Sequence, residues 1–124
     1  MIKQILLTTF CAAAGLAAAQ VPAAFPDGAQ VLIGDALRAK IAGKTFGGAG
    51  GTMKPARLQY TEGGSVYLDV STGFRDTGKW RIEGSNICTE WRQSPTSGCG
   101  EARVMGDVVY VLRANGEVIS LTPR

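Results

Sequence analysis

The sequence predicts a mainly β, single-domain antiparallel meander or small barrel of about eight strands with one short N-terminal helix. From Lys44 onward large apolar residues alternate with polar ones, the period of a half-buried strand. Glycine-bearing turns break that alternation at intervals of roughly eight to twelve residues, the spacing of a meander. Helical periodicity is confined to one short stretch ahead of it, around Leu37 and Ile41. A two-sheet sandwich is the second architecture compatible with the pattern.

Taken from the N-terminus, residues 1–19 read MIKQILLTTFCAAAGLAAA, in which Lys3 leads into an apolar run that ends in Ala17-Ala18-Ala19. This is the three-part plan of a secretory signal, with cleavage before Gln20. A retained membrane anchor is the competing reading, but no basic stop-transfer cluster follows; a lipoprotein signal is disfavoured by the bulky Phe10 directly before Cys11. Cleavage leaves 105 of the 124 residues, enough for one domain with a modest core. The expected organisation is a signal at 1–19, an extended lead-in at 20–34 carrying Pro22 and Pro26, and a β-domain at 35–124.

Asp35 is the expected N-cap of the helix, residues 36–42 its body, and Gly43 the left-handed residue that ends it. So short a helix is not stable alone in water, so the Leu37–Ile41 stripe must dock on the sheet. Strands are expected at 44–47, 56–61, 65–71, 78–83, 87–92, 99–104, 108–114 and 117–122, with the glycine run at 47–51 a flexible loop.

Turn chemistry sets the register. A three-residue loop at Glu62-Gly63-Gly64 places Tyr60 opposite Val66 and Leu58 opposite Leu68; a two-residue Gly84-Ser85 loop places Ile82 opposite Ile87 and Trp80 opposite Thr89. A two-residue Asn115-Gly116 loop sends Val108, Tyr110, Leu112, Ile119 and Leu121 to the core and leaves Val109, Val111 and Val118 as an outward apolar patch. A two-residue Gly106-Asp107 turn would then bury Arg103 beside Tyr110, which is too costly for a lone charge, so a three-residue loop at 105–107 is expected, with Gly100, Ala102 and Val104 inward.

After loss of Cys11 two cysteines remain, Cys88 and Cys99. In an oxidising compartment they are expected to form a disulfide. The register points both outward, opposite each other on neighbouring strands, where the bridge would hold the base of the loop at 93–98. A zinc site is disfavoured because the chain has no histidine to complete it.

No cofactor site is legible. Gly43-Lys44-Thr45 resembles the end of a P-loop, but Arg38 stands where the earlier glycine is required. Without histidine, Ser-His-Asp and Cys-His catalysis are excluded in their ordinary forms. Asp69, Glu83, Glu90 and Glu101 fall on outward positions among Arg57, Lys79, Arg81, Arg92 and Arg103, reading as a solvated face of mixed charge. Without Lys3, twelve basic residues stand against ten acidic ones with no block of either sign, so nothing suggests nucleic acid or an anionic membrane, and no span is expected in the mature form. Trp80, Trp91, Tyr60 and Tyr110 are expected in the core, and Tyr67 outside.

The order Gly-Lys-Thr-Phe at 43–46, Tyr-Thr-Glu-Gly-Gly at 60–64, Gly-Lys-Trp at 78–80, Ile-Cys-Thr-Glu-Trp at 87–91, then Cys99 and a closing Asn-Gly hairpin, resembles a family of small exported bacterial β-domain proteins of unknown function. The resemblance implies export, most simply to the bacterial periplasm or else the extracellular space, and no catalytic residue. A looser similarity links the chain to bacterial inhibitors of lysozyme and secreted proteases. The leading expectation is thus a non-enzymatic periplasmic domain that binds a protein or envelope component, through a surface formed by Val109, Val111, Val118, Tyr67 and Arg92. The alternatives are a carrier of a small apolar ligand inside the barrel, or an inhibitor that inserts its 93–98 loop into a hydrolase.

Overall fold

The computed structural model describes residues 25–124, so the expected signal at 1–19, with Cys11, lies outside the described residues. Helix α1 (Asp35–Ala39) precedes eight strands: β1 (Lys44–Gly50), β2 (Met53–Tyr60), β3 (Ser65–Val70), β4 (Arg75–Glu83), β5 (Asn86–Trp91), β6 (Gly98–Met105), β7 (Val108–Leu112) and β8 (Val118–Pro123). Each strand pairs antiparallel with the one before it, and β8 returns to β1, closing the barrel. Closure removes the unpaired edges that an open sheet would present.

The closing seam runs through the segment expected to be a loose loop. Gly47, Gly48 and Ala49 pair with Thr122, Leu121 and Ser120, so β1 extends to Gly50. Glycine suits this position for a packing reason: a Cβ on Gly48 would lie 2.8 Å from Leu58 Cδ1 and 3.1 Å from Met53 Cε. The register shifts between Gly48 and Gly50. Pro55 sits opposite that irregularity, where proline is tolerated within a sheet.

Two hairpins match the expected registers. Tyr60 pairs with Val66 and Leu58 with Leu68, while Ile82 pairs with Ile87 and Trp80 with Thr89. The β7–β8 hairpin does not. Its loop has three residues, 114–116: Arg113 N–H donates to the Glu117 carbonyl, and Gly116 takes the left-handed conformation at φ 87°. The Asn115 side chain holds this form by accepting the Glu117 N–H at 3.0 Å.

One added loop residue inverts β7. Val109 and Val111 face inward opposite Leu121 and Ile119, and Tyr110 and Leu112 face outward. The β6–β7 turn is the simple two-residue one, with Met105 opposite Val108 and Gly106 at φ 60°. Arg103 does stand opposite Tyr110, but both are on the outer face, so the guanidinium is not placed in the core. Ala102 and Val104 are inward as expected. The two errors in loop length cancel everywhere except on β7.

The helix is shorter than expected. Gly34 occupies the N-cap without a side-chain cap, and Asp35 is the first helical residue. Gly43 is left-handed as expected, at φ 74°. Leu37 and Ile41 are fully buried with Phe46, Tyr60, Val66 and Trp80. Lys40 Nζ donates to the Gly106 carbonyl, Arg38 to the Glu62 carbonyl, and Gly43 N–H to the Tyr60 carbonyl. Those acceptors belong to turns at one end of the barrel, so the helix and the turn after it plug that end. Ahead of it, Gln30 forms a two-bond bridge with Val104, covering the part of β6 that β5 does not reach. Among the described residues, no helix is long and apolar enough to cross a membrane.

Candidate functional site

Cys88 and Cys99 are disulfide-bonded as the register demanded, directly opposite one another across β5 and β6. Around them the outer face carries the expected charge alternation, with Arg81 contacting Glu83 at 2.9 Å and Glu90 at 3.4 Å, and Arg103 contacting Glu101 at 3.5 Å. Exposed pairs of this kind contribute little to stability. Glu83 Oε2 lies 3.4 Å from Cys88 Sγ. Glu83, Cys88 and Cys99 therefore cluster as metal ligands would. Because the two sulfurs are bonded to each other, neither is the thiolate a metal would need.

The expected partner surface does not form. Val109 is 0% exposed and Val111 packs against the core, both inside the barrel, because the β7–β8 loop is one residue longer than a type I′ turn. Val118 is half-buried on the outside beside Leu112. Tyr67, 47% exposed, does share a shallow outer groove with Arg92, lined also by Thr77, Lys79 and Glu90. Tyr110 lies on the outer face of β7 and not in the core.

Inside the barrel the two halves differ. The plugged end is filled by Leu37, Ile41 and an edge-to-face aromatic series in which Tyr60 lies 5.9 Å from Phe46 and 5.4 Å from Trp80. Toward the other end the inward-facing side chains leave the middle of the barrel unfilled, with Thr89 and Gly100 among the residues that line it. Eight strands enclose an interior at the size where side chains either fill it or leave room for one small ligand.

The result is a cavity of about 330 Å³, walled by Leu58, Leu68, Ile87, Val111, Ile119 and Leu121. Tyr60 forms its floor, and Trp91, Ser97, Arg113 and Asn115 stand at its mouth. Phe46 and Trp80, Tyr60's neighbours in the aromatic series, do not line it.

Two carboxylates fix the loops around that mouth. Asp76, buried on the inward side of β4, accepts N–H bonds from Ser94 at 2.8 Å, Thr77 at 2.8 Å and Gln93 at 3.2 Å. Burial disfavours its charge, but these donors and nearby Arg92 outweigh it and hold the carboxyl below the usual range. Glu117 accepts the Thr52 N–H at 3.1 Å, the Thr52 hydroxyl at 3.0 Å and Asn115 Nδ2 at 3.1 Å, joining the β1–β2 turn to the β7–β8 loop. The Thr52 N–H is the main reason its carboxyl is also held low.

Neither role was anticipated from the sequence. A signal existed for Asp76: it lies two and four residues before Gly78 and Trp80 on the core-facing parity of β4, where a charge must be satisfied locally. In comparison with known proteins, no family model, curated protein or solved structure matches this chain.

Proposed function

We propose that this domain binds a small, largely apolar molecule within the barrel, without catalysing its conversion. The single observation that carries the reading is the one-ended cavity, mainly apolar along its walls, where Thr89 is polar, with further polar groups at its floor and mouth. Binding sites are typically of this kind, apolar with a few placed polar groups. At about 30 Å³ per water-sized group, 330 Å³ admits a ligand of roughly ten heavy atoms. Export, most simply to the periplasm, is part of the same reading; the disulfide is compatible with it.

Titration with naphthalene, read by fluorescence of Trp91 at the mouth and by equilibrium dialysis, tests the proposal. Saturable binding to the wild type that is lost in Val111→Phe, which fills the cavity from one wall, supports it. No binding up to the probe's solubility limit, or equal binding by Val111→Phe, overturns it.

Recognition of a protein or envelope component is the second reading, favoured by the outer groove where Tyr67 and Arg92 meet. A partner captured from envelope extract by wild type and lost in Tyr67→Ala/Arg92→Ala would turn preference toward it.

A further inference from the structure

Resting on the cavity reading above, we infer that the ligand presents a hydrogen-bond acceptor, such as a carbonyl or ether oxygen, at its inner end to the hydroxyl of Tyr60. Tyr60 is only 4% exposed, yet it lines the cavity. Its ring is fixed edge-on between Phe46 and Trp80. Trp80 is itself anchored by its indole N–H, which donates to the Thr61 carbonyl at 3.0 Å. The phenol is thus carried on a rigid support rather than a mobile one.

No protein partner for the Tyr60 hydroxyl is found among the described residues. Among those residues the only fully sealed side-chain polar atom without a partner is Arg103 Nε, on the outer face. Among the described residues the Tyr60 hydroxyl is thus without a partner and not sealed, and the open space that Tyr60 lines is the cavity. In the empty state water entering by the mouth can bond this hydroxyl, and a ligand acceptor replaces that water.

The chemistry of the group sets the direction of the bond. Burial pushes the Tyr60 phenol well above its ordinary value, so it stays protonated and can donate. An anionic inner end is disfavoured, since the walls around it are Leu58, Leu68, Ile87 and Leu121 and offer no countercharge. Arg113, the cation among the lining residues, stands at the mouth and is paired with Glu117. The ligand class is a neutral, compact, mainly hydrocarbon molecule with one oxygen acceptor at the end that enters first.

Indane and 1-indanone are matched probes, alike in shape and differing by the carbonyl. Tyr60→Phe is expected to weaken 1-indanone binding roughly five- to tenfold and to leave indane within about twofold, as loss of one hydrogen bond requires. Equal effects on both probes, or no effect on either, overturn the inference while the cavity reading stands. Failure of both probes to bind wild type overturns the two together. Infrared spectroscopy of 1-indanone bound to wild type gives a reading independent of the variant's folding. A carbonyl stretch lowered relative to hydrocarbon solvent supports the bond, and an unshifted stretch counts against it.

Discussion

Reduction of the Cys88–Cys99 bridge isolates the contribution of a cross-link from that of packing. The bridge joins residues 11 apart, and the chain-entropy relation for a loop of that size gives about 2.8 kcal/mol at 25 °C. For a domain of about 100 residues this corresponds to a fall in Tm of roughly 10–20 °C. Cys88 is 1% exposed, so its sulfur fills space in the native packing. Reduction keeps that volume, whereas Cys88→Ala/Cys99→Ala removes it and is expected to destabilise further. Urea unfolding followed by the fluorescence of buried Trp80 provides the assay. The reduced protein should also show a larger m value, because its unfolded chain is less compact. Reduced wild type within about 0.5 kcal/mol of oxidised wild type, at unchanged m, would refute the argument that the bridge acts by restricting the unfolded chain.

A Cβ on Gly100 would lie 2.5 Å from the Leu112 carbonyl oxygen and 2.9 Å from Val111 Cγ1, so Gly100→Ala is expected to destabilise by about 1–3 kcal/mol in thermal unfolding. Leu37→Ala removes a fully buried plug residue and should lower stability by about 2–5 kcal/mol, with faster hydrogen exchange in β1 and β4 near Phe46 and Trp80. Asp76 has a folded-state pKa below its unfolded value, so its contribution is present above the unfolded pKa and is lost as pH falls through the folded one. The stability difference between wild type and Asp76→Asn should hold steady near neutrality and shrink below about pH 4; a gap that persists in acid contradicts the assignment. Glu117→Gln should speed amide exchange at Thr52 while leaving Trp80 fluorescence unchanged, and an unaltered Thr52 rate would show that the carboxylate does not hold the turn.

Most of the barrel was legible because its turn residues permit few conformations. Gly64 and Gly84, both at positive φ, fix loops whose lengths carry the register of four strands, and the disulfide pairing followed from that register. Asn115-Gly116 misled because its strong local preference for a two-residue turn is overruled by tertiary contacts. Glu117 is drawn across the β1–β8 seam to Thr52, which lengthens the loop by one residue and turns Val109 inward. The glycine run at 47–51 misled for the opposite reason. Glycine has low strand propensity, but at Gly48 the absent side chain makes room for Leu58, a property of the neighbour rather than the run. The cavity lay beyond the reach of sequence altogether, since whether inward residues meet in the middle depends on barrel width and on where the helix docks.

For the proposed ligand, a helix lodged at one end of the barrel leaves a single gate. Arrival and departure retrace the same path between the 92–97 loop and the Arg113 turn. Tightening that gate without touching the occupant slows both directions by the same factor. In the proposed binder Asp76 and Glu117, which hold the loops at that gate, would therefore set residence time while affinity stays where the walls and Tyr60 set it.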